Sequence, residues 1–432
     1  MEHTTTMSGS PSTIRVAIIG GSIASAALLR GLLRYSHIAA DIYESRPSFK
    51  IDGHAISLTP AAEEILLKLD PSLDDCLTRA EAVYTYTDTR IATGPYAGQL
   101  VESPRTHNYM ERMVDPQRFL DELLRGIPPR MIHANARISS ITEISSGNGV
   151  ILNFAGGVQK RYDIVIGADG VHGVTRGFVL GTDDPASRPQ NTGVWSLPIK
   201  VPYKKAVEAM GSEFLDPHRP CQTSWIGDGT YLQHDFMGGE KDVHITAYAI
   251  HSNYSPDAWA SLLTPEEFGA VFANIPLPVC RGMISLIQSL YTVQVAGISY
   301  MQHKPARTYV TSNAALIDDA AHSVLAVRGM NALVGLEEAY ILSMLLGRLT
   351  FKTAIPAALQ AFDHVCRPRA EEADHHTIQC GLVTIGRDQE VGLDPYLMGP
   401  RLEYHWHVLK QSKVEAQQSA AIQLMDQLLA QH

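Results

Sequence analysis

Apolar and polar positions alternate between two periods along this chain. Ile14-Arg15-Val16-Ala17-Ile18-Ile19 is a nearly continuous apolar run, the pattern of a strand buried on both faces. Gly20-Gly21-Ser22 breaks it, and Ile23, Ala27, Leu28 and Leu32 then recur at helical spacing. A second short strand, Ile38 to Tyr43, ends at Glu44. Strand, turn, helix, strand and acid make one βαβ unit. Ala61 to Leu69 and Gln117 to Leu124 read as amphipathic helices. Val150 to Phe154, Gly156-Gly157, and Val158 to Ile166 read as a hairpin with a buried second strand.

From about Asn191 to Tyr300 the pattern changes to strands such as Val194 to Val201, Tyr231 to Phe236 and Val243 to Ile250. Helical pieces such as Pro265 to Ala273 interrupt them, so a separate, largely antiparallel sheet domain is expected. A buried strand returns at Ala314 to Ile317, followed by a long helix from about Val334 to Leu346 and a mostly helical remainder. The expected division is a disordered tail over 1–13, an α/β domain from 14–75, 111–185 and 306–346, a sheet domain from 76–110 and 186–305, and a helical region over 347–432.

Composition narrows the functional classes. A chain of 432 residues, 45% hydrophobic and 19% charged, is ordinary globular material with room for two or three domains. A net charge of -10 with no long basic run argues against nucleic acid as a partner. Five scattered cysteines without a Cys-x-x-Cys pair predict neither disulfides nor zinc, and favour a reducing, cytoplasmic setting. Met1 to Thr13 lacks the basic head and apolar stretch of a signal peptide. The longest apolar zone, Val16 to Leu33, is broken by Gly, Ser and Arg30, so no membrane span is expected. Glu371-Glu372-x-Asp374-His375-His376 reads as a charged helix face rather than a metal site, and Tyr404-His405-Trp406-His407 as packing.

Three segments carry chemistry. In Gly20-Gly21-Ser22-Ile23-Ala24-Ser25 only the first of three fingerprint positions is glycine, and Ser22 and Ser25 stand as small residues at the others. Glu44, 24 residues after Gly20, lies where an acid would hold an adenosine ribose. Gly167-Ala168-Asp169-Gly170-Val171-His172-Gly173-Val174-Thr175-Arg176 follows a buried strand, with Asp169 and Arg176 able to anchor the loop. Asp318-Asp319-Ala320-Ala321-His322 follows another, with Gly329 and Asn331 beyond it.

These segments, with Leu336-Glu337, Ala361-Phe362-Asp363 and Arg367-Pro368-Arg369, resemble the group A flavin-dependent monooxygenases of the para-hydroxybenzoate hydroxylase fold, in particular their fungal salicylate-hydroxylase-like branch. The resemblance implies an α/β fold: a three-layer, Rossmann-like FAD-binding domain, a sheet-rich substrate domain and a helical C-terminus. It implies FAD as cofactor and NAD(P)H as a transient reductant. Oxygen would pass to a small aromatic, polyketide or terpenoid substrate. The positions it assigns to FAD are Gly20, Ser22, Ser25, Glu44, Arg118, Asp169, Asp319, Gly329 and Asn331. Asp169 and Asp319 are expected to line one cleft. Regional candidates for a base are His54, His234 and Tyr231.

The chain also departs from that family. Asp318 stands for a glycine, Ala326 for a proline, and Asn331 and Leu333 for glycines that let backbone approach the flavin. Pro116 stands where relatives carry an arginine, with Arg118 a substitute, and Leu197-Pro198 where a Tyr-Arg pair is common. The charge of Asp318 and the bulk of Leu333 predict weakened FAD binding. A second function class therefore stays open: a non-redox cyclase or isomerase of pericyclase type on the same fold. A scaffold protein without turnover is a third. Oligomeric state is left open.

Overall fold

A computed structural model describes residues 13–431, apart from 52, 54, 103–109, 146–148, 217, 219–220, 238–241, 251–257, 259, 292, 324–329 and 411–412. The predicted tail, save Thr13, lies outside the described residues, as do His54 and Gly329 and the side chains of His405 and Trp406.

The apolar runs assemble a parallel five-stranded sheet in the order Ala314–Leu316, Ile164–Gly167, Ile14–Ile19, Ile38–Tyr43, Ile132–His133. Alternation divides its faces. Val16, Ile18, Ile42, Ile164 and Ile166 join a core under the helices Ile23–Leu32 and Met330–Gly347. Ala17, Ile19, Tyr43, Val165 and Leu316 turn to the opposite face, covered by a three-stranded antiparallel sheet over Ile138–Glu143, Val150–Phe154 and Gln159–Tyr162. Helices, parallel sheet and small sheet are the three layers.

The predicted second hairpin strand is in fact two. Gln159–Tyr162 pairs with Val150–Phe154 in the small sheet, while Ile164–Gly167 joins the parallel sheet. Asp163 sits at the crossing, where its carboxylate accepts from Arg15 N at 2.8 Å and Lys352 Nζ at 2.8 Å. The change of sheet falls where the run passes from the largely exposed Gln159-Lys160-Arg161 to the buried Ile164-Val165-Ile166.

The second sheet has ten strands and runs Ala260–Leu263, Val295–Gln302, Gln190–Pro202, Asp242–Ile250, Thr230–Met237, Cys221–Ile226, Val83–Ile91, Glu111–Val114, Ile56–Leu58, with Leu100–Glu102 against Val83–Ile91. Its pairings are antiparallel except Cys221–Ile226 on Val83–Ile91. It takes in Ile56–Leu58 and Glu111–Val114, both from segments assigned by sequence to the first domain. One face packs Trp195, Leu197, Leu232, Phe236 and Ile245 under Tyr203–Met210, Pro265–Val271 and Pro278–Leu290. The other face is polar and looks toward the first domain and the 30-residue helix Ile355–Thr384.

Met330–Gly347 is long and apolar enough to cross a membrane by length and composition, and it is mostly buried inside the protein. All five cysteines are buried and outside any disulfide. Among the described residues no group of three or more His, Cys, Asp or Glu is placed to hold a metal ion. Glu372 is instead paired with Arg369 and Lys413.

Candidate functional site

The turn after the first strand is set by packing. Gly20 has φ +112°, and a Cβ there would lie 1.9 Å from the Ala168 carbonyl oxygen, so no side chain fits. Gly20 N donates to Tyr43 O at 2.8 Å, and Gly21 N donates to Glu44 Oε2 at 2.8 Å. Glu44 thus follows directly on the second strand, beside the glycine turn. Ser22 caps the helix Ile23–Leu32, accepting from Ser25 N at 3.2 Å. The Ser25 hydroxyl is buried and donates back to Ser22 O at 2.7 Å.

The acidic turn lies opposite. Asp318 has φ +59°, a conformation that favours glycine. Its N–H donates to Glu338 Oε2 at 2.8 Å, and its carboxylate lies beside Ser22 at the end of the cleft. His322 Nε2 lies 2.9 Å from Glu338 Oε1. Asn331 Nδ2 donates to Asp319 Oδ1 at 3.4 Å. Loss of water pushes the Asp319 carboxyl up to about 7, with Asp318 adding to the rise and His322 opposing it. Asp318 is raised for the same first reason, and Glu338 adds while His322 and Ser22 oppose. Burial alone would lower His322, but its pairing with Glu338 outweighs that and raises it. Arg176, 1% exposed, locks the turn by donating to Ala320 O at 3.0 Å, to Ala321 O, to Ala186 O at 2.6 Å and to Lys304 O at 3.1 Å.

Both turns open onto a cleft of about 630 Å³ between the two sheets, the size of a small-molecule site. Ser22, Ile23, Asp318, Asp319, Asn331 and Ala332 form one end. Thr87, Glu111, Gln222, Tyr231, Gln233 and Tyr248 come from the polar face of the large sheet, and Ile378 to Ile385 of the C-terminal region close the side. The described lining residues include three carboxylates and no Lys, Arg or His. The Tyr231 hydroxyl lies 2.6 Å from Ser224 Oγ and donates to Gln233 Oε1 at 3.0 Å. Thr87 donates to Gln222 Oε1 at 3.1 Å. Behind them, Asp235 Oδ2 accepts from the Gln222 amide at 3.4 Å and the Gln233 amide at 3.5 Å. Burial holds Asp235 near 7, against those two hydrogen bonds.

Of the residues expected at the site, Ser22, Tyr231, Asp319 and Asn331 line this cleft, while Gly20, Ser25 and Glu44 build the turn behind it. Four expectations need correction. Asp169 does not line the cleft; its carboxylate caps the helix Val174–Leu180 through Thr175 N at 3.1 Å and the Thr175 hydroxyl. Arg118 is paired with Glu81 at the surface instead of reaching the cleft. His234 is 0% exposed on the core face of its strand, because alternation turns Tyr231 and Gln233 inward to the cleft and Leu232 and His234 away. Leu333, 0% exposed, points into the core under the parallel sheet and crowds nothing in the cleft.

Sequence reading missed Thr87, Glu111, Gln222, Gln233 and Asp235. A signal was present: Tyr231, Gln233 and Asp235 alternate with Leu232, His234 and Phe236, a polar stripe along the expected strand Tyr231 to Phe236.

No family model matches the chain. It is 28% identical over 377 residues to 6-methylsalicylate 1-monooxygenase of Aspergillus terreus, covering 83% of this chain and 80% of that protein. It is 26% identical over 420 residues to a salicylate hydroxylase of Pseudomonas putida, covering 93% of each. Its fold matches a salicylate hydroxylase substrate complex with TM-score 0.80 at 24% identity, over 95% of this chain and 98% of that one. It also matches CtdE in complex with FAD and a substrate with TM-score 0.81 at 15% identity, over 97% and 100%. The fold is the α/β architecture of FAD-dependent hydroxylases, and the homologues of this chain are flavin-dependent monooxygenases.

Proposed function

We propose that this chain is an FAD- and NAD(P)H-dependent monooxygenase that hydroxylates or epoxidises a small aromatic, polyketide or terpenoid compound. The observation that carries the reading is the shared cleft. A dinucleotide-type helix N-terminus and Asp319 open at one end, and a polar sheet face opens at the other. The framework fits FAD in its adenosine and ribityl parts. Gly20 forms a turn that a Cβ would fill, Glu44 stands beside it for a ribose, and Asp319 stands on the ribityl side. A bound flavin would supply the electron transfer and oxygen activation. The chain's own residues position and shield. Ile23, Ile56, Met113, Val194 and Leu382 exclude water from the cleft. The Tyr231 hydroxyl, held between Ser224 Oγ and Gln233 Oε1, presents a fixed polar group on the sheet side of the cleft. Three carboxylates in the described lining, without a cationic side chain, favour a substrate that enters neutral rather than as a carboxylate.

One observation favours a second reading, a non-redox cyclase or isomerase that uses the cleft as a shaped pocket. The Asp318 carboxylate already lies beside Ser22, the cap of the helix Ile23–Leu32. The experiment is a flavin absorption spectrum of the purified protein, with NADPH oxidation measured with and without oxygen and substrate. Yellow protein that consumes NADPH and oxygen together supports the first reading. Colourless protein that converts substrate without either supports the second.

A further inference from the structure

We propose that Asp318 is an internal occupant of the seat for the dinucleotide diphosphate, so that its carboxylate and the FAD diphosphate compete for the start of one helix. The proposal rests on the FAD reading above. Ile23–Leu32 is a ten-residue helix that follows the first parallel strand through the Gly20–Ser22 turn. Its unpaired N–H groups and positive dipole end form the place where this fold receives a pyrophosphate.

Asp318 reaches that place because of its backbone. At φ +59°, with its N–H held by Glu338, its carboxylate lies beside Ser22, the cap of that helix. A Cβ built on Gly335 of the opposite helix would lie 3.3 Å from Asp318 Oδ1 and 3.2 Å from Ala24 Cβ. The carboxylate therefore lies against Gly335 of the helix Met330–Gly347, where Ala24 of the first turn of Ile23–Leu32 also packs. Glu338 and the Asp319 carboxyl flank it. The nearest described cations are committed elsewhere: His322 to Glu338, and Arg176 to four carbonyl oxygens. A diphosphate entering here meets an anion already beside the helix start it needs.

The contrast to measure is charge-specific. FAD, ADP and adenosine are titrated into wild type, Asp318→Asn and Asp318→Gly, with binding read by flavin fluorescence quenching and by calorimetry. Circular dichroism confirms folding. Asparagine tolerates the left-handed backbone and removes only the charge. FAD and ADP should bind about tenfold tighter or more in both variants, the scale of one relieved charge pair, while adenosine is unchanged within about twofold. The proposal is overturned if wild type holds stoichiometric FAD through dialysis and the variants change ADP affinity less than about threefold. It is also overturned if adenosine tightens in parallel, which would indicate a packing effect, or if no variant binds FAD. Tighter FAD and ADP binding without oxygen-dependent NADPH oxidation in any variant would leave the diphosphate seat standing and remove the monooxygenase reading. Tight wild-type FAD with turnover would do the reverse.

Discussion

Shortening Leu333 tests whether this position serves the flavin or the core. Its side chain is 0% exposed and packs with the buried residues under the parallel sheet, early in the helix Met330–Gly347. Leu333→Ala removes three carbons, worth roughly 2 kcal/mol in transfer free energy at about 0.8 kcal/mol each. The cavity left behind brings the cost to about 2–5 kcal/mol. Leu333→Gly adds about 1 kcal/mol for a glycine inside a helix, giving about 3–6 kcal/mol. The assay is urea unfolding followed by circular dichroism, with FAD titration of the same samples. Both variants should unfold at lower urea, the glycine variant lowest, with FAD binding no tighter than wild type. The reasoning is refuted if Leu333→Gly unfolds within about 0.5 kcal/mol of wild type, the range of an ordinary surface change, or binds FAD markedly tighter.

Other sites yield outcomes that separate burial from function. Burial holds the Asp235 carboxyl near 7 against its ordinary 3.8, so the folded state binds that proton more tightly than the unfolded chain. Its contribution is present below about pH 4 and lost as pH rises through about 7; Asp235→Asn should flatten this decline, by a few kcal/mol at most, in urea midpoints taken across that window. His234 lies in the core with neither ring nitrogen hydrogen-bonded among the described residues, and burial drops it to about 3. His234→Leu should therefore stabilise by about 1–3 kcal/mol at pH 7, and by more at pH 5 where the unfolded histidine is charged, without altering substrate KM. Arg118→Ala should change stability by less than about 1 kcal/mol and leave FAD affinity unchanged, because its partner is the exposed Glu81; a large loss of FAD affinity would return Arg118 to the site.

The local pattern of the chain determined its regular elements. Ile14–Ile19 and Ile38–Tyr43 are the strands that continuous apolar runs predict, and Gly20 the turn, since these signals depend on neighbours within a few residues. Glu44 beside Gly21 was legible for the same reason: a βαβ unit leaves little freedom in where its second strand ends. The roles of the acids were not legible. Asp169 and Asp319 follow similar strand ends, yet one is consumed as a helix cap and the other lines the cleft. The difference arises from Thr175 and Arg176, which fold back on the first loop and clamp the second across the sheet. Leu333 and His234 were misread because which way a side chain points follows from the layer packed against its element. Period alone does not name that layer. Asp318 combines both cases. Its charge is visible in the sequence, but only the tertiary fold, by pairing its N–H with Glu338 and setting its carboxylate beside Ser22, decides that the charge lies near the start of the helix Ile23–Leu32.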